Sequence, residues 1–126
     1  MLDARSERNL KGVHPDLVRV VERAHAKTTP DLSFIVIEGV RTRARQAELV
    51  KSGASQTMNG RHLTGHAVDL MATVQGRGRW DWPLYARLGA AVKAAAAAEG
   101  VPIVWGGDWR TLRDGPHFEL SRKAYP

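Results

Sequence analysis

The sequence predicts an α+β fold in which a small, mostly antiparallel sheet is packed with helices, and three observations predict it. Helix-like and strand-like segments alternate along the chain without repeats, low-complexity tracts or linkers. At 126 residues, 43% hydrophobic and 25% charged, the chain has the size and composition of one domain with one core. It contains no cysteine, so the fold stands on burial alone, which a domain of this length can supply.

Residues 1–8 alternate charge with small side chains and lack an apolar core segment, so no signal peptide of the usual form is expected. Leu17, Val20, Val21 and Ala24 recur at helical spacing after Pro15-Asp16, predicting an amphipathic helix from about Pro15 to Lys27. Phe34-Ile35-Val36-Ile37 is a short β-rich run between turn residues and Glu38-Gly39, and it predicts a buried strand. Thr42 is placed to cap a helix running through Val50 and closed by Gly53. A loop follows to Arg61, with Asn59-Gly60 as its turn. His66 to Val74 is a strand with a charge inside it, and Gln75 to Arg79 is a basic loop. After Trp80-Asp81-Trp82-Pro83, Leu84, Leu88, Ala91, Val92 and Ala95 mark a long helix that Gly100 stops near Glu99. Val101–Trp105 and His117–Leu120 complete the strands, the first ended by Gly106-Gly107.

A net charge of +6 and a pI of about 10.3 favour a polyanionic partner, whether nucleic acid, the bacterial wall or lipid headgroups. No stretch reaches the ~18 consecutive apolar residues of a membrane span. The chain is therefore expected to be soluble and made in the cytoplasm; a monomer is also expected. Without cysteine, thiolate zinc fingers, iron–sulfur clusters, thiol nucleophiles and redox motifs are excluded, so a metal must sit on His and carboxylate.

Charged groups are rarely buried unless paired or bound to metal, which makes Asp69, inside an apolar strand, the first residue to explain. Period-2 alternation places it on the face of Ala67 and opposite His66, Val68 and Leu70. His62 lies seven residues earlier, across Gly65, and can fold back beside the carboxylate as the second point of a metal clamp. A catalytic zinc takes three protein ligands and leaves one position for water. His117, which opens a strand after Gly115-Pro116, is the best third ligand; His66 points to the wrong face and reads as a hydrogen-bonded histidine. His14 and His25 have no partner at ligand spacing and are read as surface residues. Two imidazoles and one carboxylate leave such a site at net +1, which lowers the pKa of bound water towards ~7. A general base is also needed, and Asp114, three residues before His117, is well placed, with Asp108 and Glu119 as rivals. Glu119 shares the strand face of His117 and could instead orient that ligand; Asp114 alone could be a turn residue before Gly-Pro.

The words around these residues are more specific. Gly60-Arg61-His62-Leu63-Thr64-Gly65-His66-Ala67-Val68-Asp69 resembles the Ser-x-His-x-x-Gly-x-Ala-x-Asp signature of the zinc peptidoglycan peptidases. These include D-alanyl-D-alanine carboxypeptidases, VanX-type and VanY-type enzymes and phage L-alanyl-D-glutamate endopeptidases. Trp105-Gly106-Gly107-Asp108-Trp109 and Asp114-Gly115-Pro116-His117-Phe118-Glu119-Leu120 resemble the second half of that site, especially in phage endolysins. Glu38-Gly39-Val40-Arg41-Thr42 with Gln46 is similar to the family's Gly-x-Arg-Ser/Thr…Gln block. The resemblance, covering about residues 38 to 120, implies that His62, Asp69 and His117 bind Zn2+ and that Asp114 is the acid/base. It implies further that Arg41 contacts the substrate carbonyl or oxyanion and that Gln46 braces the site. The sequence departs from the pattern at Gly60, where the family has Ser.

The resemblance implies one zinc peptidase catalytic domain over residues 1–126, with no separate wall-binding domain, acting on peptidoglycan peptide stems. The leading expectation is an endolysin cutting between L-alanine and D-glutamate after holin-dependent release. The alternatives are a D,D-carboxypeptidase or dipeptidase of the same family, which must recognise a terminal carboxylate, or a non-catalytic module for the wall or nucleic acid. Nucleic acid is the weakest partner, because no basic helix with interleaved aromatics is present.

Overall fold

The computed structural model describes residues 2–53 and 60–126, so the expected turn at Asn59-Gly60 lies largely outside the described residues. Among the described residues, four helices, α1 (Ala4–Asn9), α2 (Pro15–Ala26), α3 (Arg43–Lys51) and α4 (Trp82–Glu99), accompany five strands. The strands are β1 (Ser33–Glu38), β2 (Ala67–Val74), β3 (Arg77–Arg79), β4 (Ile103–Trp105) and β5 (His117–Leu120). They form one sheet in the order β1-β2-β5-β4, with β3 also on β2, and every pairing is antiparallel.

Several ends follow the expected chemistry. Pro15 lies in the first turn of α2, and Thr42 Oγ1 accepts from Arg45 N at 3.0 Å to cap α3. Gly100, with φ 68°, closes α4 in the left-handed conformation. Helix α1 was not signalled by the sequence. It is capped by Asp3 and covers the outer edge of β1, where Ser6 Oγ accepts from Val36 N at 2.9 Å and Asn9 Nδ2 donates to Val36 O at 2.8 Å.

The basic loop expected over Gln75 to Arg79 is instead a hairpin. Val74 pairs with Arg77, and the two intervening residues, Gln75 (φ 51°) and Gly76 (φ 79°), both take positive φ as in a type I′ turn. Glutamine is an unusual first residue for that turn, which hid it. His14 and His25 are likewise not surface residues. His14 Nδ1 accepts from Asp16 N to cap α2, and His25 packs edge-on against Phe34 with centroids 5.1 Å apart; both are half-buried.

Strand alternation gives the sheet two unlike faces. Val36, Leu70, Phe118 and Leu120 are fully buried in one cluster with Leu17, Val20 and Val21 of α2 and Leu88 and Val92 of α4. On the other face the register sets Asp69 directly opposite His117, and Glu119 opposite both Ala67 and Val104. Among the described residues, no helix is long and apolar enough to cross a membrane.

Candidate active site and metal centre

The polar face of the sheet floors a cleft of about 1010 Å³, bordered by Arg41 and Gln46 and by Trp109, Leu112 and Asp114. A single turn of 3-10 helix, Arg61–Thr64, brings His62 over the sheet, and Gly65 (φ 76°) reverses the chain into β2. A Cβ at Gly65 would lie 2.5 Å from Gly12 O, so the turn admits no side chain.

His62, Asp69 and His117 come together as the spacing predicts, with one ligand atom of each within 4.8 Å of the others. Their hydrogen bonding calls for a cation. His62 Nδ1 donates to Gly39 O at 2.9 Å, which leaves the lone pair of a neutral ring on Nε2, 3.2 Å from Asp69 Oδ1. His117 has carboxylates on both sides: Nδ1 is 3.2 Å from Asp69 Oδ1, and Nε2 is 2.9 Å from Glu119 Oε1. A lone pair facing a carboxylate oxygen is repulsive until a proton or metal ion lies between them. The three residues can therefore hold a metal ion, His62 through Nε2 and His117 through Nδ1, with Nε2–H of His117 donating to Glu119.

Without an ion, protons take that role. Burial opposes charge on His117, but the hydrogen bonds and charges of Asp69 and Glu119 outweigh it and push the imidazole up to about 9. Burial likewise works against the charged forms of Asp69 and Glu119. The paired histidines nonetheless hold Asp69 well below the usual carboxylate range, and His117 lowers Glu119.

Asp114 behaves in the opposite sense. Burial and then the charge of Asp69 raise its carboxyl, with His117, His62 and Arg41 opposing. Its N–H donates to Gly106 O at 3.0 Å, and its carbonyl accepts from His117 N at 3.2 Å, which ties the loop to the strand carrying the ligand. A Cβ at Gly106 would lie 2.4 Å from Asp114 O, so the glycine break lets this loop close down. Arg41 is 9% exposed; its Nε donates to Glu38 Oε1 at 2.8 Å and Nη1 to Gln46 Oε1 at 2.9 Å, with Nη2 3.6 Å from Asp69 Oδ2. Gln46, fully buried, thus braces the arginine.

Of the rivals for general base, Asp108 pairs with Lys93 of α4 and does not border the cleft, while Glu119 is committed to His117. His66 is outside the group and bonds Thr64 Oγ1 at 2.6 Å. Sequence reasoning passed over Glu38, which holds Arg41, Gly39, whose carbonyl sets the His62 tautomer, and Trp109, whose ring lies 5.0 Å from that of His117. Glu38 was legible only through the irregular register that pairs it with Asp69, because strict alternation from Val36 gives no reason to aim it into the site.

A model of the family described as Phage L-alanyl-D-glutamate peptidase matches residues 1–125. The L-alanyl-D-glutamate peptidase of Escherichia phage T5 is 30% identical over 95% of this chain and 88% of its own length. That of Listeria phage A118 is 39% identical over 75% of this chain, which spans only 32% of that longer protein. The crystal structure of the Serratia marcescens L-Ala D-Glu endopeptidase ChiX superposes with a TM-score of 0.91 at 52% identity, covering 98% of this chain and 91% of that one.

Proposed function

The chain belongs to the phage L-alanyl-D-glutamate peptidase family, and on that footing we propose that it is a zinc peptidase cleaving the bond between L-alanine and D-glutamate in peptidoglycan stems. The observation that carries this reading is the His62–Asp69–His117 group, whose nitrogens and carboxylate converge as a cation site on the floor of an open cleft. Two imidazoles and a carboxylate suit zinc and leave room for water and substrate. When bound there, zinc supplies Lewis acidity, polarising the scissile carbonyl and bringing the pKa of a bound water towards ~7.

The chain's own residues do the rest. Asp114 takes a proton from the attacking water and returns it to the leaving amine of D-glutamate. Its raised carboxyl suits both halves of that transfer, because the acid form stays accessible closer to neutral pH. Arg41, clamped by Glu38 and Gln46, offers a fixed guanidinium to the oxygen on which charge appears during attack. Glu119 accepts from His117 and holds that ring in one orientation. The wall is the proposed place of action, reached by holin-dependent release from the cytoplasm, and the net charge of +6 draws the protein to its anionic surface.

The test is mass spectrometry of fragments released from purified peptidoglycan by metal-stripped protein, with and without added zinc. Zinc-dependent release of stems bearing a new N-terminal D-glutamate is expected. Loss of a terminal D-alanine instead would make the chain a carboxypeptidase and overturn the assignment.

A further inference from the structure

Around the start of α4, outside the residues that line the cleft, lies an aromatic surface that peptide hydrolysis does not use. Trp80 and Trp82 are 60% and 44% exposed, yet each indole lies on an inner ring. Trp80 stacks on Tyr85 with centroids 6.0 Å apart and planes 8° apart, and Trp82 on Trp105 at 5.9 Å and 23°. The inner rings are themselves tied down. Tyr85 Oη accepts from Ala72 N at 3.0 Å and donates to Arg79 O at 2.7 Å, while Trp105 Nε1 donates to Gly115 O at 2.7 Å. Both outer indoles are thus backed by anchored rings, so little side-chain freedom is lost when something stacks on them.

The surroundings are polar. Between the two indoles in sequence, Asp81 is held by Arg79, with Nη2 2.7 Å from Oδ2, and Arg77 of the same hairpin is exposed. Two flat rings among hydrogen-bonding groups are a poor seat for an apolar helix. They fit a sugar, whose C–H face meets the negative π cloud while hydroxyl and acetamide groups find polar partners at the rim.

The surface is also joined to the catalytic loop. A Cβ at Gly115, the neighbour of Asp114, would lie 3.0 Å from Tyr85 Cβ and 3.3 Å from Trp82 Cζ3. In a peptidoglycan stem, L-alanine is amide-bonded to the lactyl group of the amino sugar, so one residue separates the scissile bond from the glycan. At roughly 3.5 Å per residue, with the lactyl arm of similar length, the sugar must pass within about 10 Å of the scissile carbonyl. We propose that Trp80 and Trp82 form a docking surface for the glycan strand of peptidoglycan, a chain of N-acetylated amino sugars, so that the stem is presented to the cleft from its attached end. This rests on the hydrolytic reading above for its substrate.

Two substrates separate the roles: intact peptidoglycan, and a free stem peptide acetylated at its L-alanine. Trp80→Ala is expected to lower kcat/KM about tenfold on peptidoglycan and to leave it unchanged on the peptide, and Trp82→Ala, whose ring also touches the loop at Gly115, to lower it by a larger factor on peptidoglycan than on the peptide. Trp80→Phe, which keeps a ring, should retain most of the rate. Equal losses on both substrates would make the indoles structural, and undiminished rates on peptidoglycan would remove them from recognition; either overturns the proposal. A titration read by tryptophan fluorescence, using glycan chains stripped of their peptides by an amidase, needs no turnover. It should saturate for the wild type and weaken for Trp80→Ala, and the absence of a saturable wild-type response also overturns the proposal. If the zinc-loaded wild type cleaves neither substrate, the hydrolytic reading fails, and this titration still decides the docking surface.

Discussion

His62 has one ring nitrogen committed to the Gly39 carbonyl and the other turned onto Asp69, so its removal takes away one of the three donor atoms that could hold a metal ion. His62→Ala is expected to lose metal and activity together, read by metal content after dialysis and by fragment release. Asp114 stands outside the ligand group, so Asp114→Ala should keep its metal and lose ~10²–10⁴-fold in turnover. An active, metal-loaded variant would remove Asp114 from proton transfer. In metal-free protein, burial and then the Asp69 charge raise the Asp114 carboxyl above its ordinary value of 3.8, so its titration followed by carboxyl NMR in chelated protein is expected above the usual aspartate range. A value at or below the ordinary one would show that the carboxyl is neither desolvated nor influenced by Asp69. Gly60 has φ −64° and ψ 150°, which any residue adopts, and a Cβ there would meet the Gln46 amide at 3.6 to 3.8 Å, an ordinary contact. Gly60→Ser should therefore fold, gain roughly 0.5 kcal/mol from the stiffer unfolded chain, and set a hydroxyl beside the residue that braces Arg41. A loss of stability in urea titrations would show that the site rejects the family's serine.

At the scale of elements, α1 holds more than its six residues suggest. Ser6, fully buried, is the partner of Val36 N–H on the outer edge of β1, and Ser6→Ala leaves that buried donor unsatisfied at a cost of about 2 kcal/mol. Urea unfolding should show the loss, and a change below about 0.5 kcal/mol would mean that water reaches the donor. No apolar periodicity announces α1, because it works through two side-chain hydrogen bonds and not a greasy face, and these cannot be read without knowing where β1 lies. The elements that were legible bury a stripe or carry a capping residue: α2 by Leu17, Val20 and Val21, α3 by Thr42, α4 by its alanine run and Gly100. The metal group was legible for a related reason. Strand phase puts Asp69 and His117 on one face once the strands pair, and Gly65 permits the reversal that returns His62. What escaped was tertiary. The bulge that aims Glu38 at Arg41, the positive φ of Gln75 in the hairpin and the pairing of Asp108 with Lys93 depend on neighbours distant in the chain or on a turn residue that chemistry does not favour.

For the whole molecule, the two faces of the sheet set stability and function against each other. The apolar face is closed by α2 and α4, while the polar face gathers Asp69, Glu119 and two histidines that are at ease only around a cation. In metal-free protein the proton on His117 is that cation. Its folded value of about 9 exceeds the ordinary 6.5, so its contribution to stability is complete below 6.5 and is lost as pH rises through 9. Asp69 and Glu119 are lowered instead, so their contribution is present above their ordinary values of 3.8 and 4.5 and is lost as pH falls. Metal-free protein should therefore be most stable near pH 5 to 6.5, roughly, and weaken towards pH 9.5. Metal binding requires a neutral His117, so affinity must rise over the same interval, and the ion stabilises most where the proton no longer does. Chelated protein unfolded in urea at about pH 6 and pH 9.5 tests this, with His117→Gln as the control that removes the titrating ring. The wild type is expected to lose stability between the two and the variant to stay nearly flat. An equal decline in both would place the alkaline instability elsewhere in the molecule and separate the cation site from the balance that holds the polar face together.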